Sequence, residues 1–206
     1  MHHQPLNIIL LGDPAAGKAT HGKFLERQHR LYNLDMGKEL RKLERNKTLR
    51  KKYKLDETLN KGKLTPTQVV RRLLYDRIHT TPKNQGMLFN GTPKMLGEAK
   101  LVAKWLRQEK RKNILFVYLS IPLNETIRRM TSRKTYFKGK FSKRPDDNSK
   151  ALKNRIAYYK KNIVQVVKFF KRLYPFIKIS TAGGIPQAKN RLIGKIKAYE
   201  ARLNKN

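Results

Sequence analysis

Residues 12–20 read Gly-Asp-Pro-Ala-Ala-Gly-Lys-Ala-Thr, and they follow directly on the apolar run Leu6-Asn7-Ile8-Ile9-Leu10-Leu11. That order narrows the choice of fold sharply. A strand delivers the chain to Gly12, the backbone curls through Gly17, and the amides opening the next helix face outward with Lys18 beside them, where they can hold a phosphate. Gly12-x4-Gly17-Lys18 meets the first part of the pattern G-x-x-x-x-G-K-[ST]; the residue after Lys18 is Ala19, so the hydroxyl comes one place late, at Thr20. A Gly-containing strand-to-helix turn without a ligand is the alternative. The strand signal before the loop and the amphipathic helix signal after it favour the phosphate site.

Apolar strand-like runs recur at Leu6–Leu11, Gly86–Asn90, Ile114–Ser120 and Phe176–Ser180, with a weaker one near Tyr32–Asp35. Helical patterns lie between them. Leu25, Arg27 and Gln28 fall in the first; Val69, Val70, Leu73, Leu74 and Ile78 trace one face of another, and Ala99, Val102, Ala103 and Leu106 a third. Thr65-Pro66 and Ile121-Pro122 are helix starts. Strands and helices alternating at this length predict an α/β fold with a parallel sheet covered on both faces. Two segments break the rhythm: Gly37–Leu64 reads as two short, very basic helices, and Lys134–Lys143 as a cationic, aromatic loop.

A chain of 206 residues, 38% hydrophobic, is enough for one domain with a substantial core. It has no cysteine, which excludes a disulfide framework, a thiol nucleophile and a Cys-ligated zinc, and fits a reducing compartment. The first apolar run is too short to cross a bilayer and lacks a small-residue cleavage site, so a cytoplasmic protein without a membrane partner is expected. Against 14 Asp and Glu stand 49 Lys and Arg, a net charge of +35. A phosphate site needs only a few of these cations; the surplus implies a polyanionic neighbour, nucleic acid first among them, with a generic solvated surface as the alternative.

Further segments follow the loop in a definite order: Asp35-Met36-Gly37-Lys38-Glu39-Leu40-Arg41; Gly62-Lys63-Leu64-Thr65-Pro66; Gly86-Met87-Leu88-Phe89-Asn90-Gly91-Thr92-Pro93-Lys94; Arg129-x3-Arg133; and Arg144-Pro145-Asp146-Asp147, followed by Arg155. This set resembles the adenylate kinase and nucleoside monophosphate kinase family from Asn7 to the C-terminal helix. The resemblance implies a three-layer P-loop fold: a five-stranded parallel sheet flanked by helices, in one domain over 1–206, with a helical monophosphate-binding flap at 37–64 and a short lid at 134–143 that carries no zinc. It also implies magnesium-dependent phosphoryl transfer from ATP to a nucleoside monophosphate, by a monomer. ATP would lie on Gly12, Pro14, Ala15, Ala16, Gly17, Lys18, Ala19, Thr20 and Arg129. Lys18 and Arg129 would hold the donor phosphates, while Arg133, Arg144 and Arg155 close on the transferring group and Asp146 and Asp147 orient the lid arginines. The monophosphate would meet Met36, Arg41, Leu64, Gly91, Lys94 and Glu98. No residue would ligate the metal directly; Thr20 and Asn90 would reach it through water. These residue types suit the chemistry, because the transition state spreads charge over phosphoryl oxygens and the arginine fork grips two of them without losing its own charge.

The chain departs from the family pattern on the acceptor and metal side. Asn90 stands in place of an Asp and removes a charge near magnesium, although Asn90-Gly91 is by itself also a hairpin signal. Lys94 replaces an Arg and loses the bidentate grip. Met36 replaces a Thr, Lys38 an Asp, and Glu98 a Gln that reads adenine's edge, so acceptor selectivity is expected to loosen. Ala15 and Ala19 occupy glycine positions, and His21 reads as a helix surface residue.

Two functions from different classes follow. One is the kinase, with activity reduced by these changes. The other is a weakly active or inactive RNA- or ribosome-binding module on the same fold, with Lys47, Arg50, Lys51, Lys52 and Lys54 as its contacts and Tyr53 and the pair Tyr158-Tyr159 stacking on bases. Against that stands the plain alternative that these tyrosines belong to the core and the lysines to water.

Overall fold

The computed structural model describes residues 4–55, 67–132, 135–137, 140–142 and 149–203. In chain order the described elements are β1 (Asn7–Gly12), α1 (Lys18–His29), β2 (Tyr32–Asp35), α2 (Met36–Arg45), α3 (Lys47–Lys52), α4 (Thr67–Thr80), β3 (Met87–Asn90), α5 (Leu96–Gln108), β4 (Ile114–Ser120), α6 (Leu123–Ser132), β5 (Thr135–Phe137), β6 (Lys140–Ser142), α7 (Ser149–Leu173), β7 (Phe176–Ser180) and α8 (Ile185–Leu203). Five strands form one sheet in the order β2-β3-β1-β4-β7, every neighbouring pair parallel. The α/β fold with a five-stranded parallel sheet, expected above, is the fold observed.

Strand periodicity builds the layers. Successive side chains of a strand point to opposite faces, and β1 is buried along its whole length. Ile9 and Leu11 face one layer with Phe89 and Phe116, under Val70 and Leu74 of α4, Val102 and Leu106 of α5, and Val166 and Phe170 of α7. Ile8 and Leu10 face the other, with Leu88 and Val117, under Leu25 of α1 and Leu192 and Ile196 of α8. A strand wholly buried on both faces reads as a continuous apolar run, which is why β1, β3 and β4 show no polar alternation.

The chain visits β2 and β3 on one side of β1 and then crosses to β4 and β7 on the other, so the loop after β1 lies at the point where the winding reverses. In open parallel sheets that crevice, at the carboxyl ends of the strands, is where ligands sit.

Three local readings are refined. Asn90 ends a parallel strand, in register with Leu10 of β1 and Asp35 of β2, which sets aside the hairpin reading of Asn90-Gly91. The segment 134–143, read as a loop, contains the antiparallel pair β5–β6 with Tyr136 opposite Phe141; an aromatic pair across two strands favours pairing over a few residues, too briefly to stand out as periodicity. The basic insert opens with the two expected helices, each capped by its preceding side chain: Asp35 accepts from the Lys38 amide at 3.0 Å and Asn46 from the Leu49 amide at 3.0 Å. Leu64, Thr65 and Pro66 lie outside the described residues.

Candidate active site

The loop from Gly12 to Gly17 is held from beneath by polar contacts to the neighbouring strand and to α7. A Cβ on Gly12 would stand 2.4 Å from the Leu119 carbonyl oxygen, so the close approach of β1 to β4 requires glycine here. Asp13 donates its amide to Leu119 O at 2.9 Å, and its carboxylate accepts from the Tyr118 hydroxyl at 2.6 Å and from the Ile121 amide at 2.9 Å. Tyr159 of α7 donates its hydroxyl to Gly12 O at 2.5 Å and accepts from the Gly12 amide at 3.2 Å. Burial and the hydrogen bond to the Asp13 carboxylate push the Tyr118 hydroxyl up, and burial pushes that of Tyr159 up as well, so both phenols keep the protons they donate.

Above this brace the loop turns through left-handed backbone at Ala15 (φ 60°) and Gly17 (φ 78°) into α1. The first amides of α1 have no partner in their own helix and the helix dipole adds positive potential, a combination made for phosphate oxygens. Lys18 is the first residue of α1. Its Nζ donates to Gly12 O at 2.7 Å and Asp13 O at 2.8 Å and stands 5.9 Å from the centre of the Tyr159 ring, while its stem runs beside Gly91. Ala16 is buried, Pro14 half-buried, and Ala19 and Thr20 are exposed on the first turn.

His21, expected on the surface, is buried at 3% exposure and is the clearest correction to the sequence reading. Its ring packs beneath Gly17, and burial together with the nearby Arg129 pushes its pKa below 6.5. With few apolar positions in α1, a histidine contributes to the face that seals the loop to the sheet.

On the β4 side of the loop, Arg129 donates Nε to Glu125 Oε1 at 2.7 Å and Nη2 to the Thr181 carbonyl at 2.9 Å. The hydrogen bonds from Arg128 and Arg129 hold the Glu125 carboxyl down to about 2. Arg129 thereby bridges α6 to the segment after β7, and a groove of about 780 Å³ opens between them, lined by Pro122, Glu125, Arg129, Gly183, Gly184 and Pro186.

On the β2–β3 side, the Arg41 guanidinium and the Asp35 carboxylate each lie close to Gly37. Met36 is buried in the core. Asn90 is buried, donates Nδ2 to Asn33 Oδ1 at 3.3 Å, and fills the space over Gly22. Gly91 adopts φ 71° and Lys94 is exposed. Glu98 is buried; one carboxylate oxygen accepts from the Lys94 amide at 3.2 Å and the Met95 amide at 3.3 Å, capping α5, and burial pushes its pKa up.

The structure thus brings Lys18, Arg129, Asn90, Gly91 and the loop together at one edge of the sheet, with Arg41 on the β2 flank. The side chains of Arg133, Arg144, Asp146, Asp147 and Arg155 lie outside the described residues. Lys47, Arg50, Lys51, Lys52 and Lys54 are all exposed on or just after α3. Tyr53 packs partly buried against the core and Tyr159 is committed to Gly12, so for these two tyrosines the core reading holds over base stacking; the Tyr158 side chain lies outside the description. The brace of Asp13, Tyr118 and Tyr159 was missed. A signal for it existed, because Tyr159 continues the buried stripe of Ile163, Val166 and Phe170 at helical spacing and carries a hydroxyl into it.

The family profile described as Adenylate kinase matches residues 10–174. The chain is 27% identical over 191 residues to an adenylate kinase of Azobacteroides pseudotrichonymphae, an alignment covering 93% of this chain and 97% of the relative. It is 28% identical over 193 residues to an adenylate kinase of Flavobacterium johnsoniae, covering 93% and 98%. With an adenylate kinase of the archaeon Archaeoglobus fulgidus it shares 24% identity over 219 aligned positions, covering 94% and 100%.

Proposed function

The chain belongs to the adenylate kinase family, and we propose that it transfers a phosphoryl group reversibly from ATP to a nucleoside monophosphate, most simply ATP + AMP giving two ADP. The observation that supports this most is the placement of Lys18 and the loop at the winding reversal of the sheet, with Arg129 on the β4 flank and Arg41 on the β2 flank. Two polyanions can be seated there on opposite sides of one cationic loop, and seating them in line is most of what phosphoryl transfer requires.

In this reading the amides of residues 15–20 and Lys18 hold the donor β- and γ-phosphates. A phosphate draws the Lys18 ammonium away from the Gly12 and Asp13 carbonyls, while Tyr159 and Asp13 keep the loop itself in place. Arg129 holds the donor from the β4 side, and the groove between α6 and the Gly183-Gly184 turn takes the donor base. Arg133, Arg144 and Arg155 close over the transferring group, aligned by Asp146 and Asp147, and closure excludes the water that would turn transfer into hydrolysis. Arg41 and Lys94 hold the acceptor phosphate, with Met36, Leu64, Gly91 and Glu98 around the nucleoside.

Among the described residues no group of three or more His, Cys, Asp or Glu is assembled for a metal. The oxygens that would reach the ion through water are neutral, the Thr20 hydroxyl and the Asn90 amide, while the Asp13 carboxylate is taken by Tyr118 and Ile121 and that of Asp35 accepts from the Lys38 amide. Such a set fits a magnesium ion that keeps its waters and arrives on the nucleotide phosphates. When bound, magnesium neutralises charge on the donor phosphates.

Lys18→Ala tests the assignment. ADP formation from ATP, AMP and magnesium should fall in kcat by at least about a hundredfold, the scale set by removing one donor to developing charge, with the thermal melt unchanged. A loss below about tenfold would remove Lys18 from the mechanism.

A further inference from the structure

The site accounts for only a few of the surplus cations, and the structure shows where a separate set is gathered. The outer surface of α5 presents Lys100, Lys104 and Arg107, and that of α7 presents Lys161, Lys168, Lys171 and Arg172, all exposed. Steps of three and four residues put each set on one stripe of its helix. Ala99, Val102 and Leu106 of α5 and Ile163, Val166 and Phe170 of α7 turn the opposite stripes into the same core, so the two cationic stripes lie side by side on one face of the molecule.

Among the described residues no acid answers the cations of this face. Elsewhere Arg72 pairs with Asp76, Arg77 and Lys42 with Glu39, Lys83 with Glu109, and Arg128 with Glu125. None of the seven cations on α5 and α7 has an acidic partner among the described residues, and from Asn148 to Tyr199 the chain has no Asp or Glu at all. Cations held at fixed spacing on neighbouring helices repel one another, and a solubilising surface avoids that by mixing signs.

We propose that the outer face of α5 and α7 docks the sugar–phosphate backbone of nucleic acid, without reading its sequence. Charge complementarity fits a phosphate backbone, and among the described residues the exposed large apolar side chains are too few for a membrane surface: Val164 and Leu173 on α7 and none on α5. The absence of an exposed aromatic side chain on either described stripe favours backbone contact over base stacking. The stripes begin near the carboxyl edge, at Lys100 two residues past Glu98 and at Lys161 two residues past Tyr159, and run along the two helices to Arg107 and Arg172. The inference stands independently of the kinase assignment.

The test uses the full chain, freed of nucleic acid by high salt, and a fluorescent double-stranded RNA in polarisation titrations at several salt concentrations. If the face covers about six phosphates, log K should fall with log salt at a slope of about −5. Reversing four charges on the face (K104E, K161E, K168E, R172E) should weaken binding at low salt by more than about tenfold and flatten the slope by about 3 or more, the loss expected for four phosphate contacts. Reversing four charges on α3 (K47E, R50E, K51E, K52E) changes the net charge equally and should cost much less. The milder set K104Q, K161Q, K168Q and R172Q gives the same ranking should the reversals impair folding, which the melt reports. The proposal is overturned if wild type does not bind at low salt, if the α3 set loses binding while the α5–α7 set keeps it, or if phosphatidylglycerol vesicles are bound in preference to the RNA.

Discussion

Tyr159 ties the helix that carries Arg155 to the first glycine of the phosphate loop through a single oxygen that both donates and accepts. Tyr159→Phe keeps the ring under Lys18 and removes only that oxygen. The expected outcome is a drop in kcat of about threefold to thirtyfold, with stability lowered by about 1 kcal/mol, the ordinary worth of a hydrogen bond; an unchanged kcat would leave Tyr159 as packing alone. His21 supplies a pH prediction. Its pKa in the folded chain lies below 6.5 because of burial first and Arg129 second. Both states are neutral well above 6.5; as pH falls through that value the unfolded chain takes up the proton first, so stability declines toward the folded pKa, by at most about 1.4 kcal/mol per pH unit. Thermal melts of His21→Gln should lose less between pH 7 and about pH 5.5 than wild type. Parallel losses in the two proteins would show that His21 does not titrate differently on folding.

At the scale of elements, α1 sits on β3 through a close fit between Gly22 and Asn90: a Cβ on Gly22 would stand 2.2 Å from Asn90 Nδ2. Gly22→Ala should destabilise by about 1–3 kcal/mol, the usual cost of overpacking, and Asn90→Ser should recover part of it in the double variant. Additive losses in chemical denaturation would contradict the contact. The start of α5 bears on acceptor choice. Glu98 spends one carboxylate oxygen on the Lys94 and Met95 amides, and Met36 is drawn into the core, so neither position offers the hydrogen bonds that would read adenine closely. Among AMP, GMP, CMP, UMP and dTMP, at least one other acceptor should be used within about a hundredfold of the kcat/KM for AMP. Sharper discrimination would show that adenine is read elsewhere. Elements of this kind were only partly legible in the sequence. β1, β3 and β4 announce themselves as apolar runs, and α4 and α5 by their stripes. β5 and β6 are too short to show a period, and α1 hid His21 because its inward face has few apolar residues to reveal the pattern.

For the whole molecule, the order of motifs along the chain is enough to expect the parallel sheet, and the apolar runs locate its strands to within a residue or two. The phosphate loop and Lys18 were legible because their chemistry demands a fixed local spacing. The contacts that hold the loop were not, since Asp13, Tyr118 and Tyr159 meet only after the chain has returned across the sheet, and no local pattern encodes that meeting. The same folding sets Lys18 and its loop at one edge of the sheet and lines the outer surfaces of α5 and α7 with cations that no acid answers among the described residues. The chemistry proposed for that edge is the transfer of phosphoryl groups between nucleotides rather than to water. Its most direct test is the stoichiometry of the purified protein with ATP, AMP and magnesium, with nucleotides resolved by chromatography and free phosphate measured in parallel. Two ADP formed for each AMP consumed, with negligible phosphate release, is the predicted result; ATP loss matched by free phosphate, with AMP untouched, would contradict it.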